Sequence, residues 1–541
     1  MATSYVFNGR LIKLPGVYSQ TKSAISNNPA NLDYGKIVIV DTDDSVFSGG
    51  AGISGELAQG QGAIYGFDNL IDFRKFVRGG KLWDIALPLF RPFGSGHAGI
   101  SMLYYIRPFT TVSASVTLPF AAGSISIKAR HEGTCGNGTL VGSVLTQGFS
   151  ANLEAGVFDS AKFRLRLSRG TYTGADAGGV AYNNLTPAES IPETVALSPE
   201  VATVQELVAW MIKNYDFNNT FVLATGQAVT GAIVALDLSG MAGNQLFIGG
   251  SQVYSEPNLL LALESIKNLD YTHMLAVDSG GANFTSAKNF SLLYHLESEA
   301  KYEKFLVVGA GEDKDEFQQS LAGAVLFNSD KVIAVHGANY ESDRNSGTGL
   351  RQKTSLHKAA YVLGRAAGLE PQTPATFKGL GFAGEVHKLT DKEKEKALDS
   401  GLLTTFYDSE IEAFIITQGI NTLQNNDNIV NEDGTSHLWS LKRIASQLNK
   451  EIEINMKKQL LGNQSQGPNR NTLSEEVISQ WVENYLSRKT AKETVDNLIL
   501  SFRNILVTTR EDSYWVSYEF EPNFEVNKMF VTGFIIDPNI Q

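Results

Sequence analysis

One glycine-rich segment has the spacing of a nucleotide-binding loop. Residues Gly94 to Gly99 read Gly-Ser-Gly-His-Ala-Gly, the G-x-G-x-x-G pattern that lets a backbone approach a pyrophosphate. That chemistry requires a strand before the glycines and a helix N-terminus after them. Here Arg91-Pro92-Phe93 precedes the segment, and an apolar strand run, Ser101 to Ile106, follows it. Because the order of elements is wrong for a dinucleotide site, we interpret the segment as a loop.

A second group, four carboxylates within five residues, has ligands that suit a cation. Glu312, Asp313, Asp315 and Glu316 stand immediately before the apolar pattern of a predicted helix that begins near Phe317. Acidic side chains are also favourable at a helix N-terminus, where they interact with the helix dipole. No histidine lies nearby in sequence, so we favour the helix-start interpretation over a metal site.

The histidines and the short catalytic motifs give no active site. None of the histidines forms an H-E-x-x-H pair, and the chain contains neither a G-x-S-x-G elbow nor a Walker-type phosphate loop. We therefore predict no catalytic residues, no cofactor and no metal, which leaves open only a site assembled from distant residues. The eight histidines are His97, His131, His273, His295, His336, His357, His387 and His437.

Composition narrows the class of protein. The 541 residues include 45 Lys and Arg against 57 Asp and Glu, a formal net charge of −12. An acidic chain is a poor general partner for nucleic acid, because phosphate contacts need a basic face. No apolar run has the ~20 residues of a membrane span, and the first ten residues lack the layout of a signal peptide. The single cysteine, Cys135, excludes an intrachain disulfide. We expect a soluble, multidomain protein without nucleic-acid binding or membrane insertion.

The periodicity of apolar residues predicts an α/β (α+β) multidomain fold. Continuous apolar runs such as Ile37 to Val40 and Phe305 to Val308 alternate with helical patterns, which is typical of a largely parallel sheet covered on both faces. Between about 115 and 240 the pattern changes to the period-two alternation of half-buried strands, as in Ser124 to Ala129. After Gly379, helical stripes such as Leu441 to Leu460 precede two final strand runs. The predicted organisation is an extended arm at 1–30, an α/β domain at 31–114 with 245–370, a β-rich inserted outer domain at 115–244, a C-terminal α+β domain at 371–520, and a C-terminal arm at 521–541.

Both ends of the chain have short apolar strand patterns. The run at 529–536 is apolar on both sides of its pleat, so it must be covered by its own chain or by another. Covering by another chain's strand is β-augmentation. The residues alone leave both kinds of covering open, and the strand formed by Tyr514, Val516, Tyr518 and Phe520 is the candidate partner of the arms. The arm residues of this prediction are Tyr5, Phe7, Leu11, Ile12, Val17, Tyr18, Met529, Phe530, Val531, Phe534, Ile535 and Ile536.

At this point the chain resembles a known family, the tail sheath proteins of contractile bacteriophages and related contractile injection particles. The motifs follow the order that they have in that family and span most of the chain. They are Leu14-Pro15-Gly16-Val17-Tyr18, Ile127-Lys128-Ala129 with Gly133-Thr134-Cys135-Gly136-Asn137, Ala359 to Ala367 with Gln372-Thr373-Pro374-Ala375, Gln418-Gly419-Ile420-Asn421, and Trp439 to Ile444. Cys135 stands where the family usually has Trp, and Trp439-Ser440 replaces its usual Trp-Gly.

The resemblance implies a structural protein without enzymatic activity. It implies a homo-oligomeric helical sheath around an inner tail tube, stitched by terminal arms and contracting to drive the tube through a host envelope. Baseplate and tail terminator proteins would be further partners, in a virion assembled in the bacterial host cytoplasm. The 371–520 domain would then face the tube.

We expect a basic helix surface in that domain to contact the tube, because a local basic face on an acidic chain suits a charged partner. Two other functions remain alternatives: an α/β hydrolase or nucleotide-binding enzyme built on 245–370, and a surface adhesin or receptor-binding protein using the β-rich insertion. The proposed tube-facing residues are Lys442, Arg443, Lys450, Lys457 and Lys458.

Overall fold

The computed structural model describes most of the chain. The described residues are 5–7, 10–12, 35–41, 53–54, 64–77, 80–94, 99–121, 123–171, 191–234, 244–277, 284–300, 304–343, 349–424, 436–462, 474–490, 497–510 and 513–523. Within them the chain forms 28 strands and 11 α-helices.

The first half of the strands builds one edge of the main sheet and the β-rich insertion. They are β1 (Tyr5–Phe7), β2 (Arg10–Ile12), β3 (Lys36–Val40), β4 (Ile53–Ser54), β5 (Ile64–Phe67), β6 (Met102–Ile106), β7 (Phe109–Phe120), β8 (Gly123–Glu132), β9 (Thr139–Val141), β10 (Val144–Gln147), β11 (Phe149–Ala155), β12 (Phe163–Arg169), β13 (Glu193–Leu197), β14 (Phe221–Thr225), β15 (Gln245–Leu246) and β16 (Ser251–Tyr254).

The remaining strands complete the main sheet and form three smaller sheets. They are β17 (His273–Ala276), β18 (Phe305–Ala310), β19 (Val332–His336), β20 (Asn339–Ser342), β21 (Leu350–Gln352), β22 (Gly379–Leu380), β23 (Gly384–Glu385), β24 (Leu402–Leu403), β25 (Thr405–Asp408), β26 (Ala413–Ile416), β27 (Ile499–Arg510) and β28 (Ser513–Pro522).

The helices cover the sheets and form most of the C-terminal part. They are α1 (Leu70–Val77), α2 (Gly80–Phe90), α3 (Val204–Lys213), α4 (Tyr215–Thr220), α5 (Glu256–Ile266), α6 (Ala287–Ser298), α7 (Phe317–Phe327), α8 (Ser355–Ala367), α9 (Asp391–Asp399), α10 (Trp439–Gly462) and α11 (Glu475–Lys489). None of these helices is both long and apolar enough to span a membrane.

The main sheet has nine strands in the order β2-β1-β5-β6-β3-β17-β18-β19-β24. From β6 to β24 every neighbouring pair is parallel. Along β3, Ile37 and Ile39 pack into one hydrophobic cluster, while Val38 and Val40 pack into another on the opposite face. A strand buried on both faces reads as a continuous apolar run, which is why the sequence pattern identified this sheet.

Helices cover both faces of the main sheet. Helices α1, α2 and α8 lie in the cluster that contains Ile37, and α5, α6 and α7 lie in the cluster that contains Val38. All 13 residues of α8 are buried. This helix is enclosed by the sheet, by α2 and by residues of the C-terminal part such as Leu438 and Trp439.

The inserted region is a pair of packed sheets. One sheet has the order β14-β8-β7-β16 with β4 beside β7, and the other has the order β13-β12-β11-β15. Alternate residues of both sheets and the apolar face of α3 share one core. The chain enters through β7 and leaves through β16, which pair with each other at Phe109 and Tyr254. Both connections to the main sheet therefore lie together.

Two hydrogen bonds of the Asn137 side chain join the segment after β8 to Gly250, the residue before β16. The amide of Asn137 donates to the carbonyl of Gly250 at 2.9 Å, and the Gly250 N–H donates to Asn137 Oδ1 at 2.8 Å. Gly250 has no room for a side chain, since an added Cβ would lie 2.4 Å from the carbonyl oxygen of Gly133. The Gly133 N–H also donates to the Val112 carbonyl of β7 at 3.1 Å, so the segment Gly133 to Asn137 of the resembling motif bonds to both connections of the insertion.

The predicted fold class is confirmed, and the N-terminal strands belong to the main sheet. Strand β1 pairs in parallel with β5 of its own chain, and β2 pairs with β1. Tyr5, Phe7, Leu11 and Ile12 therefore extend the chain's own main sheet, in which β2 is the edge strand, and their pairing with a neighbouring subunit stays a prediction. The physical reason is that β5 would otherwise present an open edge of unpaired backbone groups. Val17 and Tyr18 lie outside the described residues.

Gly364 is the point of closest approach between α2 and α8. A Cβ at this position would lie 2.4 Å from the Pro88 carbonyl oxygen and 2.7 Å from that of Leu89. We expect Gly364→Ala to lower the free energy of unfolding by about 1–3 kcal/mol, because the helices must separate to admit the methyl group. Urea unfolding followed by circular dichroism measures the change. Gly66→Ala is the matched control, since its nearest atoms are 3.7 Å away; equal effects of both changes would contradict this packing.

Candidate assembly surfaces

The carboxyl edge of the main sheet is where an α/β enzyme would bind its ligand. Glu312 follows β18 there, and its carboxylate accepts hydrogen bonds from the Ser355 N–H at 2.8 Å and the Ser355 hydroxyl at 3.0 Å. Ser355 is the first residue of α8, so a carboxylate of the chain itself lies at the helix N-terminus where a phosphate would bind. This geometry disfavours the nucleotide-binding alternative.

The carboxylates of the acidic cluster before α7 also accept hydrogen bonds from N–H groups of their own chain. Asp313 Oδ1 accepts the N–H groups of Asp315 at 2.9 Å and Glu316 at 3.2 Å, and Glu316 accepts the N–H of Glu312 at 2.7 Å. These carboxylates fix the turn that starts the helix, as the helix-start interpretation expects. Within the described part of the chain, no three His, Cys, Asp or Glu side chains are grouped to hold a metal.

Two buried histidines join the end of β19 to the segment before α9. His336 Nε2 lies 3.1 Å from His387 Nδ1, and His336 Nδ1 lies 3.1 Å from the Ala310 carbonyl and 3.2 Å from Ser320 Oγ. Burial, with smaller contributions from Lys358 and His387, lowers the pKa of His336 to about 3. Burial also lowers the pKa of His387. The pair is therefore neutral at physiological pH, and no metal is needed to explain it.

Two polar side chains of α8, Lys358 and Tyr361, donate hydrogen bonds to glutamates of other elements. Lys358 donates to Glu385 at 2.7 Å, and the Thr405 hydroxyl donates to the same carboxylate oxygen. Tyr361 donates to Glu341 at 2.8 Å. Burial alone would raise the pKa of Glu341, but its contacts with His357, Lys353 and Tyr361 outweigh burial and lower the pKa to about 2. These bonds anchor α8 to β20, β23 and β25.

The structure corrects three of the residues that we predicted to face the tube. Lys442 lies 2.9 Å from Asp330, and Lys450 lies 2.5 Å from Asp270. Arg443 donates to the carbonyls of Leu369 at 2.6 Å, Glu370 at 3.1 Å and Thr373 at 3.3 Å, just beyond the C-terminal end of α8. All three cations are buried. They hold the first half of α10 against the α/β part and cannot form a basic outer face. Lys457 and Lys458 belong to α10, but their side chains lie outside the described residues.

The C-terminal ribbon is the candidate site for strand addition. Strands β27 and β28 pair along most of their length, and no third strand pairs with them among the described residues. Val516, Tyr518 and Phe520 pack on the cluster formed by α10 and α11, and the Tyr518 hydroxyl donates to Asn449 at 2.7 Å. Tyr514 pairs with Thr509 at the turn end. The ribbon is therefore fixed on one face and retains strand edges along which another strand can pair.

The predicted partners of this ribbon stay predictions. Met529, Phe530, Val531, Phe534, Ile535 and Ile536 lie outside the described residues. Sequence patterning identified β28 but missed β27, because a bulge between Arg503 and Leu506 interrupts the alternation. Asn504 adopts a left-handed conformation there, with φ 53°. Asn is among the residues that tolerate this conformation, and it was the available signal for a bulge.

Comparison with known proteins agrees with this architecture. No protein-family model matches the chain. The tail sheath protein of Bacillus phage SP01 is 22% identical over 584 aligned positions, which cover 95% of this chain and 94% of that protein. The resemblance to tail sheath proteins is confirmed. The prediction of a structural protein rather than an enzyme is confirmed with it, because the relatives are named as sheath proteins.

Solved structures show the same fold. The sheath tail protein of Desulfitobacterium hafniense aligns with a TM-score of 0.55 and 13% identity, over 94% of this chain and 97% of that one. The sheath tail protein of Listeria innocua aligns with a TM-score of 0.51 and 13% identity, over 91% and 96%. The similarity to these sheath structures therefore extends over nearly the whole chain.

The buried neutral histidine pair predicts acid sensitivity. The pKa of His336 is about 3 in the folded chain and returns toward 6.5 on unfolding. Between these values the unfolded chain binds a proton that the folded chain does not. The free energy of unfolding should therefore fall as pH decreases from about 6.5, by about 1.4 kcal/mol per pH unit for this residue. His387, whose pKa is also lowered, acts in the same direction.

Urea unfolding at several pH values between 7.5 and 5.0 measures this dependence. His336→Gln removes the titrating ring but keeps a neutral hydrogen-bonding side chain, so its slope below pH 6.5 should be smaller by about one proton. Identical slopes for the two chains would contradict the assignment of a neutral, buried His336.

Proposed function

We propose that this protein is the subunit of a contractile tail sheath, which polymerises helically around an inner tail tube and contracts to drive the tube through a host envelope. The observation that carries the proposal is the similarity to a phage tail sheath protein over 95% of the chain. At the N-terminus of α8, where an α/β enzyme would bind an anionic ligand such as phosphate, the chain's own Glu312 carboxylate accepts the Ser355 N–H. This arrangement favours a structural role over ligand binding.

A sheath subunit must move as a rigid body while it stays linked to its neighbours. Rigidity fits the enclosed helix α8, whose Ser355, Tyr361 and Lys358 donate to Glu312, Glu341 and Glu385. Linkage fits the C-terminal ribbon, whose strand edges lie outside that core. Head-to-tail contacts that do not close into a ring produce an open helical filament. The division between a fixed core and an open ribbon is what such a filament requires.

We propose that residues 529–536 of a neighbouring subunit add a strand to this ribbon. About six paired residues give several backbone hydrogen bonds, each worth about 0.5–1.5 kcal/mol net. Burying Phe530, Phe534 and Ile536 contributes roughly 1.5–3 kcal/mol apiece, and ordering the segment costs about 1–2 kcal/mol per residue. The net free energy of one link is then small. Weak individual links allow reversible assembly, and their number along a polymer makes the lattice stable.

Truncation after Asn527 tests this link. The truncated chain should stay folded and soluble, because the described core lies upstream, but it should no longer form long striated tubes in negative-stain electron microscopy. Truncation after Ile536 is the matched control, since it keeps the apolar segment and should polymerise. Polymerisation of the shorter chain at the concentration needed by the full chain would refute the link.

The β-rich insertion is proposed to lie on the outside of the sheath. Its two connections to the main sheet are adjacent, and the Asn137 side chain is hydrogen-bonded to Gly250 beside one of them. The insertion can therefore project from the assembly without interrupting the core. In three-dimensional reconstructions of the tubes, its density should form the outermost layer. Density for the insertion at the inner radius would exclude this arrangement.

The inner tail tube is the second partner that we propose, with baseplate and tail terminator proteins at the two ends of the polymer in the virion. Because Lys442, Arg443 and Lys450 are buried, the remaining basic candidates on α10 are Lys457 and Lys458. Lys457→Glu combined with Lys458→Glu should reduce co-assembly with purified tube protein, with a larger effect at low salt. Exposed Lys392→Glu in α9 serves as the charge control. Unchanged co-assembly of the double variant would rule out this contact.

A further inference from the structure

The segment that bonds to both connections of the insertion contains a dipeptide that is prone to spontaneous deamidation. Asn137 is followed by Gly138. Because glycine has no side chain to shield or restrict its backbone, its nitrogen can reach the carboxamide carbon of a preceding asparagine. Asn-Gly occurs at one other place in the sequence, Asn8-Gly9, which lies outside the described residues. The position of the reactive dipeptide at a structural junction gives its chemistry a consequence for the fold.

The reaction needs only the chain itself and water. The Gly138 nitrogen loses its proton and attacks Cγ of Asn137, the new C–N bond closes a succinimide ring, and the side-chain nitrogen leaves as ammonia. Water then opens the ring to aspartate or isoaspartate. The net change is the hydrolysis of one carboxamide to a carboxylate, without oxidation or reduction, and it adds one negative charge.

The packing of the junction requires both residues of the dipeptide. A Cβ at Gly138 would lie 2.5 Å from the Phe149 carbonyl oxygen and 2.8 Å from the Leu246 side chain, so no larger residue fits there. Asn137 uses both ends of its carboxamide, one as donor and one as acceptor, on the backbone of Gly250. An asparagine followed by a glycine is therefore what this geometry needs, although the pair is chemically reactive.

The folded chain holds both reacting groups apart from each other. The Gly138 N–H donates to the Phe247 carbonyl at 2.7 Å, which ties up the attacking nitrogen. The carboxamide of Asn137 is fixed by its two bonds to Gly250, at 2.8 and 2.9 Å. Attack on Cγ requires all three hydrogen bonds to break, so it can occur only when the junction opens locally or the chain is unfolded.

The product of the reaction cannot restore these bonds. A carboxylate at position 137 has no N–H to donate, so one of its oxygens would face the Gly250 carbonyl where the amide now donates at 2.9 Å. Two facing acceptors repel each other, and the carbonyl is left without its partner. Gly250 has little freedom to move away, because its α-carbon is packed against the Gly133 carbonyl. Isoaspartate would in addition lengthen the backbone by one methylene group.

We infer that Asn137 is a latent modification site, whose deamidation is suppressed by folding and whose conversion weakens the junction of the insertion. A chain that stays unfolded accumulates the carboxylate and then cannot rebuild the bonds to Gly250. The damage is confined to the insertion, since the main sheet makes no use of the Asn137 side chain. This inference does not depend on the proposed function.

Incubation of the full chain at mildly alkaline pH, which favours loss of the Gly138 proton, tests the protection. One sample is kept in native buffer and one in guanidinium chloride, and peptides containing residue 137 are quantified by mass spectrometry. We expect deamidation to be at least about tenfold slower in the folded chain, because it needs local opening. A synthetic peptide spanning 131–143, measured in both solvents, corrects for any effect of the denaturant on the reaction. Equal corrected rates would overturn the inference.

Two matched substitutions test the consequence. Asn137→Asp reproduces the new carboxylate, and Asn152→Asp makes the same change on β11, where the Asn152 side chain forms no hydrogen bond within the described part of the chain. In the Asn137→Asp chain, the amides of 133–138 and of β16 should undergo hydrogen exchange at least about tenfold faster than in the unmodified chain.

The two control readings are the amides of β18 in the Asn137→Asp chain and all of these amides in the Asn152→Asp chain. Both should stay within about threefold of the unmodified chain. Failure of the Asn137→Asp chain alone to fold would be the stronger form of the expected result. Unchanged exchange at 133–138 and β16 in that chain would show that the junction tolerates the carboxylate and would overturn the inference.

Discussion

The rest of this structure depends on a helix that carries charges yet is completely enclosed. Every residue of α8 is buried, including His357, Lys358 and Arg365. Burying charged groups is costly unless they are paired and hydrogen-bonded. The surrounding elements supply partners for two of these residues, with Glu385 on Lys358 and Glu341 on His357, while Glu312 accepts from the helix N-terminus. The enclosed helix therefore fixes the positions of several loops at once, because each loop provides one group that the helix needs.

This arrangement also explains how the C-terminal part is attached. Arg443 reaches from α10 to the backbone carbonyls that follow α8, and Lys450 pairs with Asp270 before β17. Buried polar contacts of this kind are directional, whereas apolar packing alone tolerates small rotations. The first half of α10 is consequently part of the α/β body. Another face of the same helix, with Ile444, Leu448 and Ile452, packs with α11 and the ribbon in a separate hydrophobic cluster.

For a sheath, this division has a mechanical consequence. A polymer that rearranges needs subunits that do not deform and links that survive the movement. The enclosed helix α8 and the buried pair of His336 and His387 meet the first requirement, since both lie in a tightly packed interior. Under the proposed function, the ribbon would meet the second requirement, because among the described residues no third strand pairs with β27 or β28. An enzyme of this fold class would bind an anionic ligand at the N-terminus of α8. Here the Glu312 carboxylate occupies that position and bonds the end of β18 to the helix.

The sequence by itself determined the elements whose pattern is set by local burial. Continuous apolar runs such as Ile37 to Val40 identified the parallel sheet, period-two alternation identified the insertion, and helical stripes identified α10 and α11, since periodicity reflects which side of an element is buried. Only the tertiary structure decided which polar groups meet. Lys442, Arg443 and Lys450 look like a basic helix surface in sequence, but their partners lie at least 70 residues away and bury them. Long-range pairing leaves no periodic trace, so neither the own-chain pairing of β1 nor the bonds between Asn137 and Gly250 could be read from the residues alone.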